Sequence, residues 1–179
     1  MEFGRIIISE TAMNSENPQD VVNSNISVVN LMREEGVNDD LIHDDALMSY
    51  YLDYYYSQYA AGNFAQFVYN SRWNTELNEL IEEGLALLGA EKHLELFQQQ
   101  SKKVKLMSSV KLNKFLSGKL EGVNPIRDLL NNDTFFEIEE NLVILNADFL
   151  KTHPDFEVLS VDEMFATLEE FVGHEIKRE

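Results

Sequence analysis

The amino-acid sequence predicts a mainly α-helical fold, a single compact helical domain with little or no β-structure. The chain has 179 residues, of which 44% are hydrophobic and 11% aromatic, so it can bury a substantial core. Proline occurs only at positions 18, 125 and 154. Between the prolines, apolar residues recur at spacings of three and four, the period of an α-helix. We expect residues 1–17 to form a loose N-terminal arm and residues 18–179 to form the helical domain.

The first half of this domain has clear helix boundaries. Pro18 suits the first turn of a helix that ends at Gly36. A second helix, over residues 46–61, follows an acidic loop and carries apolar or aromatic side chains all around its surface, which is typical of a buried helix. Gly62 and Asn63 end this helix, and residues 64–69 are expected to form another short helical segment.

The second half of the domain continues the helical pattern. Thr75 is expected to cap a helix with leucines on one face and glutamates on the other, ending at Gly89. A helix containing His93 and an amphipathic, lysine-rich stretch follow. Shorter elements complete the chain: a helix over 125–130, a helix or strand near 135–138, a helix over 142–150, an extended segment over 156–159 and a last helix opened by Asp162.

The strongest functional signal is acidity, since 32 acidic residues stand against 14 basic ones, for a formal net charge of −18. Residues 1–90 carry −12, residues 91–123 carry +4 and residues 124–179 carry −10. Residues 102–119 contain six lysines and no acid. Such a surface repels nucleic acid and anionic membranes and attracts basic proteins, although acidity can also serve only solubility.

Other sequence features restrict the environment of the protein. The chain has no cysteine, which excludes disulfides and thiolate metal sites and fits a reducing cytoplasm. No apolar run reaches the length of a membrane helix. The first residues lack the basic region and the apolar core of a secretory signal. We therefore expect a cytoplasmic protein that does not bind membranes.

Signatures of catalysis are missing from the sequence, which contains no P-loop, glycine-rich dinucleotide turn, nucleophile elbow or zinc-protease motif. We predict no enzyme activity, no catalytic residue, no cofactor and no metal. One alternative is an enzyme or metal-binding protein centred on His43, which lies among four aspartates. The order of these groups does not match the calcium loop, which needs alternating oxygen ligands and a central glycine.

Six tyrosines crowd the helix over residues 46–61, and they have two interpretations. They fill the core with their hydroxyl groups at its rim, or some of them form a dimer interface, where tyrosine is enriched. They are Tyr50, Tyr51, Tyr54, Tyr55, Tyr56 and Tyr59.

A family resemblance comes from residues 54–70, where the end of this tyrosine-rich helix runs into Ala-Gly-Asn-Phe-Ala-Gln-Phe-Val-Tyr-Asn. This run resembles a bacterial family with the pattern Asn-Gly-Gly-Phe-x-Gln-Phe-x-x-Asn after an aromatic helix. Leu87-Leu88-Gly89-Ala90 and His153-Pro154 also fit. Asn63 replaces the second glycine, and asparagine tolerates positive φ better than most residues. Much of the family has no assigned function, but one branch consists of acidic, dimeric, helical DNA mimics.

The resemblance implies a homodimeric DNA mimic that occupies the DNA-binding face of a basic protein, such as a transcriptional repressor, and relieves repression. The alternative is an immunity or antitoxin-like inhibitor of a basic nuclease or toxin. Acids three or four residues apart on a helix lie about 5–6 Å apart and can stand in for phosphates. The predicted partner-binding residues are Asp39, Asp40, Asp44, Asp45, Glu76, Glu79, Glu82, Glu83, Asp162, Glu163, Glu169 and Glu170.

Overall fold

A computed structural model describes residues 2–178 and confirms the mainly α-helical prediction. Residues 1 and 179, which the predicted arm and domain include, lie outside the described residues. The elements in order are β1 (Ile6–Ser9), α1 (Glu10–Met13), α2 (Pro18–Glu34), α3 (Asp44–Asn70), α4 (Thr75–Leu87), α5 (Glu91–Lys105), α6 (Ser109–Ser117), α7 (Pro125–Leu130), α8 (Leu142–Thr152), β2 (Phe156–Leu159) and α9 (Val161–Val172). Single 3₁₀ turns span Asp39–Leu41 and Asp133–Glu137.

The chain divides into two compact units. Unit 1 contains the residues up to Tyr50 and those from Val143 onward, and unit 2 is Tyr51–Leu142. The boundary falls inside α3, the helix with the tyrosine cluster. The sequence did not indicate this division, and a single domain over residues 18–179 stays a prediction.

Unit 1 is organised around a parallel pair of strands, in which Ile6 to Ser9 of β1 align with Phe156 to Leu159 of β2. The three isoleucines of β1 are almost completely buried, and the strand contacts α2 and α9. Residues 6–9, which lie within the predicted N-terminal arm, therefore form a buried strand. A hydrophobic run of β-branched residues gains more from burial and strand pairing than from exposure to water.

Unit 2 has an aromatic core supplied largely by α3. Tyr55 and Tyr59 are fully buried, which favours the core interpretation for these two tyrosines. The Tyr55 ring makes edge-on contacts with Phe67 and Phe97 at centroid distances of 5.2 and 5.3 Å. Burial raises the pKa of both tyrosines above the ordinary value, because the charged phenolate is poorly solvated in the core. Edge-to-face contacts of this kind add to the stabilisation from area burial alone.

A break in α3 lies where the sequence predicted the end of a helix. Asn63 has φ 66° and ψ −173°, a conformation that is rare outside glycine. Its side-chain oxygen accepts the backbone N–H groups of Phe64 and Asn132, each at 2.8 Å, and its amide donates to Asp133 at 2.8 Å. These three hydrogen bonds hold the strained backbone in place. The positive φ at Asn63 agrees with the tolerance of asparagine for this conformation.

Candidate acidic interaction surface

Negative charge is concentrated in unit 1. Unit 1 contains 19 acidic residues against five basic ones, a net charge of −14, whereas unit 2 contains 13 against nine, a net charge of −4. The two acidic stretches of the sequence, at the start and the end of the chain, therefore contribute mainly to one unit. The predicted partner-binding acids fall into three groups: the segment leading into α3, the outer face of α4, and α9.

The first group surrounds the start of α3 in unit 1. Asp39 accepts two hydrogen bonds from the Arg33 guanidinium, at 2.8 and 2.7 Å. Asp45 accepts a hydrogen bond from the His153 ring at 2.8 Å. Asp40 and Asp44 are exposed, and no hydrogen bond or ion pair joins their carboxylates to the rest of residues 2–178. Only these last two offer carboxylates that are free for another protein.

The second group lies on α9, also in unit 1. Glu163 completes a capping box with Ser160, and these hydrogen bonds lower the pKa of the Glu163 carboxyl. Asp162 pairs with Arg178 at 2.6 Å, and Glu169 accepts the backbone N–H of Ile176 at 3.1 Å. Glu170 is exposed and, within the described chain, has no polar partner. Most of the acids on α9 therefore stabilise the fold.

The third group lies on α4 in unit 2, a helix without a basic residue. Its N-cap is Asn74 rather than the predicted Thr75, because the Asn74 side chain accepts the backbone N–H of Leu77 at 2.8 Å. Glu82 accepts a hydrogen bond from Gln98 at 2.6 Å. The remaining three glutamates are exposed, and their carboxylates have no polar partner among residues 2–178: Glu76, Glu79 and Glu83.

The structure thus divides the twelve predicted acids into two sets of six. The engaged acids already make hydrogen bonds or ion pairs inside the molecule, so a partner's cation would have to share each carboxylate with its internal partner. The unpaired acids have no internal partner, so binding removes only water from their carboxylates. The unpaired acids are Asp40, Asp44, Glu76, Glu79, Glu83 and Glu170.

A crossed pair of histidine–aspartate bonds in unit 1 was not predicted. The backbone N–H groups of Asp45 and Asp155 donate to Nδ1 of His43 and His153, at 3.2 and 3.1 Å. A neutral ring whose Nδ1 accepts a hydrogen bond carries its proton on Nε2. Nε2 of His43 lies 3.3 Å from Asp155, and Nε2 of His153 lies 2.8 Å from Asp45. Each His-x-Asp segment therefore donates to the aspartate of the other segment.

The same cluster brings together groups that could hold a metal ion. One ligand atom each from His43, His153 and Asp155 lies within 4.8 Å of the others. A metal on Nε2 of His43 would move the ring proton to Nδ1, where it would face the backbone N–H of Asp45. Metal-bound histidines instead donate their second nitrogen to an acceptor. The arrangement fits the crossed hydrogen bonds better, and the absence of a metal stays a prediction.

The repeated His-x-Asp spacing was the signal that could have revealed this pair. His43-Asp44-Asp45 and His153-Pro154-Asp155 share the same order of groups, but they lie 110 positions apart in the chain. A single sequence does not show that two segments so far apart in the chain contact each other in the fold. Sequence reasoning makes the aspartates around His43 candidate metal ligands, whereas in the structure Asp45 accepts a hydrogen bond from His153.

Fold and surface together define a mainly helical, strongly acidic protein with free carboxylates on both units. The chain belongs to the DMP19-like protein family, whose profile matches residues 40–153. The match covers all of unit 2 but leaves out both strands, α2 and α9 of unit 1. No curated protein matches the chain, and no solved structure does either. Among residues 2–178, no helix has the length and apolar composition needed to cross a membrane.

Proposed function

We propose that the protein is a cytoplasmic, homodimeric DNA mimic that occupies the DNA-binding face of a basic protein, such as a transcriptional repressor, and so relieves repression. The observation that carries the proposal is membership of the DMP19-like family combined with unpaired carboxylates on an acidic surface. Each unpaired carboxylate takes the place of a phosphate and pairs with an arginine or lysine of the partner. The partner then cannot bind its operator.

Spacing supports the substitution of phosphates by carboxylates. Glu76, Glu79 and Glu83 follow one another at three and four positions along α4, so neighbouring members lie about 5–6 Å apart between Cβ atoms. One strand of duplex DNA carries a charge about every 3.4 Å along its axis. Along the axis of α4 these acids are about 4.5 and 6 Å apart, so the helix face offers a partner a row of charges that is somewhat more widely spaced than the phosphates of one strand.

The test begins with an affinity pull-down from the native cell at low and high salt, followed by competition against a complex of the captured protein with its operator DNA. The wild-type chain should release the DNA, and its affinity should fall steeply with salt, because charge pairs at an exposed surface are screened. Capture of a nuclease or toxin instead of a DNA-binding regulator would favour the immunity-like alternative.

Variants then test which acids bind the partner. Changing Asp40 and Asp44 to Asn and Glu170 to Gln removes three free charges of unit 1 and should lower the affinity about tenfold or more. The control changes Glu91, Glu95 and Glu137 to Gln, which alters the net charge equally outside the predicted acids. Equal affinities for the two triple variants would mean that total charge, not this surface, controls binding. Unchanged affinity after neutralising all six unpaired acids would refute the proposal.

A further inference from the structure

A groove in unit 1 lies between α2 and α9, and none of the twelve predicted partner-binding acids lines it. We call it the α2–α9 groove. Its volume is about 390 Å³, and its lining residues all lie within residues 9–31 and 161–168. The family profile matches residues 40–153, so the whole groove lies outside the family match. Among the described residues, the lining consists of seven apolar residues, five neutral polar residues and one charged residue, Asp20.

The α2 wall of the groove changes from charged to apolar along the helix. Its groove residues recur at spacings of three and four and so occupy one face: Asp20, Asn23, Ser24, Ser27, Val28 and Leu31. Asp20 lies in the first turn of α2, and the two aliphatic residues lie about 12–16 Å further along the helix axis. This face therefore offers a carboxylate at one end and apolar side chains at the other.

The α9 wall of the groove is apolar. Residues at spacings of three and four along α9 form it: Val161, Met164, Phe165 and Leu168. Leu168 is buried, whereas Val161 is 53% exposed. The Arg178 guanidinium lies 4.6 Å from the centre of the Phe165 ring, but it pairs with Asp162 at 2.6 Å. Helix α9 therefore contributes apolar contact to the groove without an unbalanced positive charge.

Neutral donors hold the Asp20 carboxylate in place. Its Oδ2 accepts a hydrogen bond from the Ser15 hydroxyl at 2.5 Å, and its Oδ1 accepts one from the Asn17 side-chain amide at 3.3 Å. Among residues 2–178, no cation pairs with this carboxylate. The two hydrogen bonds thus fix the position of the carboxylate without balancing its charge, which suits the recognition of a positively charged group.

We propose that the α2–α9 groove binds a small organic cation, whose aliphatic or aromatic body packs against α9 and whose ammonium group pairs with Asp20. The groove volume of about 390 Å³ lies within the range of small-molecule sites, which are mostly apolar and carry a few polar groups that orient the ligand. An anionic ligand fits less well, because it would approach Asp20 on a unit with a net charge of −14.

The experiment titrates the full chain at neutral pH with octylamine, 1-octanol and octanoate, which share one alkyl chain, and follows the backbone amide signals by NMR. We expect octylamine to shift the amides of α2 and α9 and to bind about fivefold or more tightly than 1-octanol, because a charge-assisted hydrogen bond adds to the same apolar contact. Octanoate should bind more weakly than either. Equal affinities for octanoate and octylamine, or shifts located away from the groove, would overturn the proposal.

Two substitutions separate the charge from the apolar contact. Asp20→Asn should lower the affinity for octylamine to that for 1-octanol, whereas Asp148→Asn, which removes an exposed carboxylate elsewhere in unit 1, should change neither affinity. Ser27→Phe places a ring in the groove and should abolish the binding of both probes. The matched control is Ser57→Phe in unit 2, because Ser27 and Ser57 are both exposed and both donate to a backbone oxygen of their own helix.

Unchanged octylamine affinity in Asp20→Asn, or full binding by Ser27→Phe, would each overturn the proposal. A capped Leu-Leu-Lys-Leu peptide that binds the groove more tightly than octylamine would overturn the assignment to a small molecule in favour of a protein segment. Because these titrations use the chain without a protein partner, their outcomes are independent of whether the protein mimics DNA.

Discussion

The two units of the molecule differ in net charge and in the kind of side chain that forms the core. Unit 1 carries a net charge of −14 over a core built mainly from aliphatic residues of β1 and α2, whereas unit 2 carries −4 over a core of stacked and edge-on aromatic rings. The family match covers all of unit 2 but only residues 40–50 and 143–153 of unit 1. The residues that identify the family and most of the negative charge therefore lie in different parts of the chain.

Core truncation is the strongest way to test this comparison. Phe97→Ala removes a ring that contacts Tyr55, Phe64 and Phe67 and should cost about 3–5 kcal/mol of unfolding free energy. Ile7→Ala in β1 should cost about 2–5 kcal/mol. Urea denaturation measures the loss of unfolding free energy for each variant. Hydrogen exchange should locate this loss in unit 2 for Phe97→Ala and in unit 1 for Ile7→Ala. A cost below 1 kcal/mol for either variant would contradict the described cores.

A smaller but more specific effect is expected at Asn63 in unit 2. Asn63→Ala loses three hydrogen bonds and leaves an alanine at φ 66°, so we expect a loss of about 2–4 kcal/mol. Asn63→Gly, which restores the glycine of the family pattern, loses the same bonds but relieves the strain and should cost less. Thermal unfolding of the two variants measures the order. A glycine variant less stable than the alanine variant would mean that backbone strain is not important there.

Sequence reasoning succeeded where the information was local. The break at Gly62 and Asn63, the helix that begins at Pro125 and the extended segment over residues 156–159 all follow from residue types in short windows. The sequence did not predict strand β1, because its partner strand lies 150 positions away and a short apolar run does not show which segment it pairs with. The acids on α9 were read as one free surface because periodicity shows which face is polar, but not which carboxylates cap, pair or bond to backbone.

The crossed histidines of unit 1 provide the next test. His153 is 11% exposed and donates to Asp45, so His153→Ala should cost about 1–3 kcal/mol by leaving two hydrogen-bonding groups unpaired. Glu35 and His174 also bond in unit 1, at 2.6 Å, but the His174 side chain is 52% exposed. His174→Ala therefore serves as the matched control, with a smaller expected loss. Chemical denaturation measures both. Equal losses would mean that the crossed arrangement adds nothing to an ordinary surface pair.

The smallest effect concerns pH and has opposite signs in the two units. In unit 1, the hydrogen bond to Glu35 raises the pKa of His174, so this contribution to stability is complete below the unfolded value of about 6.5 and is lost as the pH rises through the raised pKa. In unit 2, burial lowers the pKa of His93, whose Nε2 lies 2.9 Å from the backbone oxygen of Glu140. Folding then opposes protonation, and stability is lost as the pH falls through 6.5.

Paired measurements isolate each histidine. The difference in unfolding free energy between wild type and His174→Gln should shrink as the pH rises from 5 to 8, while the difference between wild type and His93→Gln should grow over the same range, since only the wild type carries the titrating ring. Two differences with the same slope would show that the rings occupy similar electrostatic environments. Opposite slopes would show that unit 1 uses its acids to favour charged histidine, whereas the aromatic core of unit 2 favours the neutral ring.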